Sequence, residues 1–179
     1  YEIQVRPVSL ASVARSVSKA VSEACRRRSV VLEVDVDPEL RVRADLGALE
    51  QVLVNLVENA VKYGPEGGVV ELSASGQGAA VRIEVRDEGP GIAPIHRRRV
   101  FERFYRVDPG RSRGMGGTGL GLAIVKNLTE AMGGDVGVEP REPNGSVFWV
   151  RLGRVSSSEA VAELAPELGA ATVSSVAEA

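Results

Sequence analysis

Residues 114–125 constrain this chain more than any other stretch. They read Gly114-Met-Gly-Gly-Thr118-Gly-Leu-Gly121-Leu-Ala-Ile-Val125, with five glycines inside eight residues followed by an apolar run of helical character. Glycine admits positive φ and lets a ligand approach the main chain. A glycine-rich turn that feeds a helix presents unpaired N–H groups and the positive end of the helix dipole, which is an anion site. Two familiar phosphate loops do not fit. No Lys follows these glycines until Lys126, inside the helix, so the turn is not a P-loop. Gly114-x-Gly116-x-x-Gly119 matches the letters of a dinucleotide fingerprint, with Asp135 near the acidic position, but that motif must follow a strand. Here Arg106–Arg113 is a polar loop broken by Pro109 and Gly110. Taken alone, the cluster also fits a flexible surface loop, so the remainder of the chain has to decide.

Periodicity sets the fold class. Glu2–Val8 reads as a short strand. Ser9 is an N-cap for a helix to about Arg28, with Leu10, Val13, Ala14, Val17, Ala20, Val21 and Ala24 at helical spacing. Val30–Val36 and Arg41–Ala44 read as strands. Asp45 caps a second helix to about Tyr63, closed by Gly64-Pro65 and striped by Leu49, Val52, Leu53, Leu56, Val57 and Ala60. Val69–Ser75 and Ala80–Arg86 form a hairpin about Gly76-Gln-Gly78. Pro94–Phe104 is short helical or irregular. Tyr105–Gly117 is a long loop poor in apolar residues, the kind that often serves as a lid. Thr118–Met132 is a third helix, and Asp135–Glu139 and Ser146–Leu152 are strands around a turn at Pro143-Asn-Gly145. This order predicts an α/β two-layer sandwich, a mixed sheet of about five strands with three helices on one face. Residues 1–154 form the domain. Residues 155–179, rich in Ala, Ser, Glu and Val and without aromatics, read as a disordered or weakly helical tail.

Composition removes several function classes. The chain has 179 residues and a net charge of −2, so no global basic field points to nucleic acid. Cys25 is the only cysteine, which excludes an internal disulfide and a multi-cysteine metal site. No segment approaches about 18 consecutive apolar residues. Arg26–Arg28 and Arg97–Arg99 are basic runs, which ordinarily form solvated faces.

Three further clusters carry chemistry. Asn55, Asn59 and Lys62 are spaced i, i+4 and i+7, so they form one polar stripe bordering the apolar face of the second helix. The amide oxygens suit a hard cation such as Mg²⁺, which takes oxygen ligands and keeps several waters. Lys62 supplies a positive charge one turn on, and Tyr63 a ring and a hydroxyl. A solvated helix face would show the same residues. Asp87-Glu-Gly89-Pro-Gly91 follows a strand. A carboxylate there can accept from an exocyclic amine such as that of adenine, and the glycines let backbone approach a flat base. A plain turn would also use these residues. Phe101-Glu-Arg-Phe104-Tyr-Arg106 places two Phe as core or lid anchors and Arg106 within reach of a phosphate.

In order and spacing, these four boxes resemble those of the ATP-binding catalytic domain of sensor histidine kinases, in the GHKL superfamily with gyrase B, Hsp90 and MutL. Asn55–Tyr63 looks like the N box, Asp87–Gly91 the G1 box, Phe101–Arg106 the F box and Gly117–Leu122 the G2 box. The resemblance covers roughly residues 1–153 and implies the Bergerat ATP-binding fold. It implies that Asn59, with Asn55 beside it, ligates Mg²⁺, and that Lys62 and Tyr63 contact the phosphates and sugar. Asp87 would bind the adenine amine, with Gly89, Gly91, Ile92 and Val100 lining the base pocket. Tyr105 and Arg106 would touch ribose and phosphate. Gly117, Thr118, Gly119, Leu120, Gly121 and Leu122 would wrap the triphosphate. Ser146 sits where the family often has Thr, near the adenine carboxylate. Asn55, Lys62 and Arg106 are the candidate catalytic groups.

Asn55 separates the branches of the superfamily. Hydrolytic relatives and the serine anti-sigma kinases carry Glu there as a general base, and an amide cannot accept the proton. The resemblance therefore implies transfer to a nucleophile that needs no base, such as a histidine nitrogen. His96 is the only histidine and does not fit the family's acceptor motif, so it is expected to be a surface residue. The acceptor histidine would lie on a dimerisation domain of the same parent protein, and a response regulator would be the further partner. A GHKL-type ATPase or serine anti-sigma kinase is the alternative. The resemblance also implies a cytoplasmic and monomeric domain, within a parent that dimerises and can be anchored in the plasma membrane.

Overall fold

The computed structural model describes residues 2–107 and 118–156. Among these residues, seven strands and three α-helices run in the order β1 (Arg6–Ser9), α1 (Leu10–Arg27), β2 (Val31–Asp35), β3 (Arg41–Ala44), α2 (Leu46–Tyr63), β4 (Val69–Gln77), β5 (Ala80–Asp87), α3 (Gly121–Ala131), β6 (Asp135–Pro140) and β7 (Ser146–Gly153). Two 3-10 turns, Pro94–His96 and Arg99–Phe101, lie between β5 and α3.

The main sheet has the strand order β2-β4-β5-β7-β6. β2 and β4 are parallel and the other neighbours antiparallel, so the sheet is mixed. Strand alternation puts one face toward the helices. Leu72, Val85, Phe148 and Val138 lie side by side across that face, as do Ile83 and Val150, and Val81 and Leu152. α2 covers β4 and β5, α3 covers β6 and β7, and α1 packs beside α2. The helices contribute Leu10, Val13, Val17 and Val21 from α1 and Leu49, Val52, Leu53, Leu56 and Val57 from α2, each at most 1% exposed. Burying a side chain of this kind contributes roughly 1.5–3 kcal/mol. The opposite face is polar. There Arg82 bonds Glu84 and Glu139 and its guanidinium lies 4.8 Å from the Trp149 ring centroid.

Four local expectations need correction. β1 is shorter than Glu2–Val8, because only Arg6–Ser9 pairs, with β3, in a separate two-stranded sheet. The β4–β5 turn is Gly78-Ala79 rather than Gly76-Gln-Gly78. Gln77 pairs with Ala80, and Gly78 alone takes the positive φ, +62°, that such a tight turn requires. α3 begins at Gly121, not Thr118, since Gly119 at φ +70° cannot be helical. Val155 is buried and its N–H donates to Arg41 O, so the folded unit continues past residue 154. The greater part of the expected tail, residues 157–179, lies outside the described residues, as does 108–117 of the expected lid.

Candidate nucleotide-binding site

α1 and α2 begin with side-chain caps. Ser9 Oγ accepts from Ser12 N–H, and Asp45 Oδ1 accepts from Ala48 N–H at 2.9 Å. α3 differs, for its N-cap is Leu120 and makes no side-chain hydrogen bond. Among the described residues, the N-cap position therefore supplies no side-chain acceptor to the first amides of α3.

That helix end faces the polar stripe of α2. A Cβ placed on Gly121 would stand 3.4 Å from Asn55 Oδ1, so the missing side chain leaves a cradle between the two helices. Asn55 and Asn59 are both half-buried. Asn55 Nδ2 is fully buried and has no partner among the described residues. Lys62 Nζ lies 5.1 Å from the Tyr63 ring centroid, and Tyr63 is exposed. α2 ends under Arg28, whose guanidinium donates to the Lys62 and Gly64 carbonyls, the latter at 3.1 Å. Arg28 therefore leaves the solvated face expected of the Arg26–Arg28 run.

Asp87 is 5% exposed at the end of β5, where it pairs directly with Ser146 of β7. Burial pushes its pKa above the ordinary value of 3.8, against backbone N–H donors of Gly89 and Ser146 and the positive charge of Arg141. Gly89 N–H donates to Asp87 Oδ1 at 2.8 Å. The glycines of this loop are sterically required. A Cβ on Gly89 would meet Asp87 Oδ1 and the Tyr63 carbonyl at 2.9 Å, and one on Gly145 would lie 1.9 Å from the Asp87 carbonyl oxygen. Gly91 has φ +74°. Val100 is buried, and Ile92, next to Gly91 in sequence, packs on the core.

Tyr105 and Arg106 reach the same region. Phe104 N–H donates to Gly119 O at 2.9 Å, and a Cβ on Gly119 would lie 2.9 Å from Phe104 Cα. The stretch that carries Tyr105 is thereby tied to the start of the α3 turn. Arg106 Nη2 is buried and has no partner among the described residues, an arrangement that calls for an anionic acceptor. His96, expected as a surface residue, has a partner there. It is half-buried, and its Nδ1 shares a 2.6 Å hydrogen bond with the Tyr105 hydroxyl. No signal along the chain announces this contact or that of Arg28, because each joins groups that only the fold brings together.

Thr118, Gly119 and Leu120 thus lead into α3, whose first residues are Gly121, set against Asn55 of α2, and Leu122, while Gly117 lies outside the described residues. Fold and site define a class, the α/β-sandwich nucleotide-binding domain whose glycine turn leads into a helix opposite an asparagine-bearing helix. The profile of the family described as histidine kinase-, DNA gyrase B-, and HSP90-like ATPase matches residues 44–155. The chain belongs to that family, as a catalytic, ATP-binding domain of the sensor-histidine-kinase type.

It is 43% identical over 143 residues to the sensor-like histidine kinase SenX3 of Mycobacterium tuberculosis, which covers 76% of this chain and 35% of SenX3. The chain therefore spans about a third of that curated relative's length. Full-length ShkA, crystallised with AMPPNP, is 38% identical, with a TM-score of 0.75 over 88% of this chain and 32% of that one. The histidine kinase ThkA, crystallised in complex with the response regulator protein TrrA, is 28% identical, with a TM-score of 0.71 over 86% of this chain and 42% of that one. Among the described residues, no helix is long and apolar enough to cross a membrane.

Proposed function

We propose that this domain binds Mg·ATP and donates the γ-phosphoryl group to a histidine on a separate dimerisation domain, within two-component signalling. The observation that carries the proposal is the Asn55 carboxamide set against Gly121 at the uncapped start of α3. A triphosphate bound between the two helices would meet it, and it is an amide rather than a carboxylate.

The residues suit Mg²⁺. The cradle at Gly121 leaves room beside Asn55 Oδ1, and amide oxygens are hard neutral donors. Asn59, with Asn55 beside it, would hold the ion. Bound there, Mg²⁺ would neutralise phosphate charge.

The side chains divide the remaining work. Asp87 accepts from the adenine amine, and Ser146 N–H steadies its carboxylate. Gly89 and Gly91 keep the main chain close to the base, with Ile92 and Val100 on its apolar side. The amides of Thr118–Leu122 and the dipole of α3 hold phosphate oxygens. Lys62 and Arg106 add positive charge, and Tyr63 and Tyr105 pack against sugar and phosphate. Phosphoryl transfer depends on such positioning and charge neutralisation. Asn55 cannot take a proton from water or a serine hydroxyl, whereas an imidazole nitrogen already presents a lone pair. Full-length ShkA and the histidine kinase ThkA are similar to this chain and were crystallised, respectively, with AMPPNP and with a response regulator protein. Both support ATP as substrate and a response regulator as the downstream partner. The domain would act in the cytoplasm.

The test mixes this chain and Mg·ATP with a separately prepared histidine-bearing helical domain. Acid-labile phosphate on that histidine is the expected result. Steady phosphate release without the acceptor would instead mark an ATPase.

A further inference from the structure

The proposed reaction leaves unused the only histidine and the arginine run beside it. Both sit on the segment that joins the Asp87 loop to Tyr105, and consecutive residues there grip opposite ends of it. Arg97 Nε donates to Ile92 O at 3.0 Å, fixing the base loop just beyond Gly91. His96 Nδ1 and the Tyr105 hydroxyl share their hydrogen bond at 2.6 Å, with ring centroids 6.0 Å apart and tilted by 44°. The Arg99 guanidinium lies 4.3 Å from the Tyr105 ring centroid. Tyr105 N–H donates to Glu102 O at 3.3 Å, and the half-buried ring packs against the core. Hydroxyl, ring face and backbone are each held by this one short segment. An unrestrained tyrosine samples several rotamers, and ordering it when a ligand binds costs affinity.

We infer that His96 is a positioning residue for nucleotide binding. It fixes the Tyr105 ring through its hydroxyl, while Arg97 fixes Ile92, so residues 92–105 hold the base loop and the tyrosine at a set separation. The inference rests on the proposed contact of Tyr105 with the sugar and phosphates. His96 touches no reacting atom in this account and acts only through the tyrosine.

Calorimetric titration of Mg·ATP into the chain tests it, using His96→Ala, Tyr105→Phe, the double variant, His96→Asn and Asp87→Asn, with a melting curve for each. His96→Ala and Tyr105→Phe are each expected to weaken ATP binding about 2- to 10-fold, the weight of one hydrogen bond. The double variant should be no weaker than either single one, because both remove the same interaction. His96→Asn, which keeps a polar atom near the position of Nδ1, should recover most of the loss, and melting temperatures should stay near that of the parent. Two results would overturn the inference and leave the site reading intact: losses that multiply in the double variant, or single variants that bind ATP normally while Asp87→Asn does not. If Asp87→Asn also binds ATP normally, the nucleotide-site reading fails and the inference with it.

Discussion

Gly121 and Asn55 face each other across the gap between α3 and α2, close enough that a Cβ on the glycine would stand 3.4 Å from the amide oxygen. That separation is ordinary van der Waals contact, so the fold tolerates alanine there. Alanine is also the better helix former, by up to about 1 kcal/mol. Gly121→Ala should therefore melt at the same temperature as the parent or higher. Its methyl would occupy space intended for phosphate, and losing one charge-assisted amide contact should weaken Mg·ATP binding on the order of tenfold. Unchanged affinity, measured calorimetrically, would dissociate the start of α3 from the phosphate site.

Asn59 should govern the metal dependence. Asn59→Ala is expected to abolish the Mg²⁺-dependent part of ATP binding while leaving the fold in place, since the side chain is only half-buried. Titrations with and without Mg²⁺ read this directly. Full Mg·ATP affinity in the variant would remove Asn59 from the site.

Asp87 should separate stability from binding. Its carboxyl pKa is raised in the folded state, chiefly by burial. A raised folded value means that stability is lost as pH rises from the unfolded value, near 3.8, through the folded one. Asp87→Asn removes that cost, so its melting temperature at neutral pH should match or exceed the parent's. Adenine loses its charged acceptor, so ATP affinity should fall about 10- to 100-fold. In the parent, ATP binding should weaken on acidification beginning above the range of an exposed aspartate. Affinity that holds until the range in which an exposed aspartate titrates, or a variant that loses stability and affinity together, would contradict this account.

Arg28 should matter to stability although it lies far in sequence from the site. It donates to the last carbonyls of α2, which helix geometry otherwise leaves without partners. Arg28→Ala is expected to cost about 1–2 kcal/mol in urea unfolding. Arg27→Ala, at a side chain 71% exposed, should cost much less, and equal losses would rule out the capping role.

Much of this was legible in the residues themselves. Ser9 and Asp45 announce α1 and α2 because a cap and an apolar stripe are local signals, complete within a few turns of chain. The Asn55–Asn59–Lys62 stripe, the Asp87 loop and the glycine turn were visible for the same reason. Helical spacing and φ freedom belong to short segments.

The sequence alone settled which elements form and which residue types could handle a nucleotide, since both follow from short-range sterics and side-chain chemistry. Tertiary structure decided what stands beside what. It set Gly121 against Asn55, paired Asp87 with Ser146, laid Arg28 on the end of α2 and joined His96 to Tyr105. It also delayed α3 to Gly121, because the Gly119 carbonyl accepts from Phe104 N–H in a left-handed turn rather than entering the helix. Those outcomes depend on how a mixed sheet orders its strands and where three helices come to rest on it, and such long-range pairings leave no periodic trace along the chain.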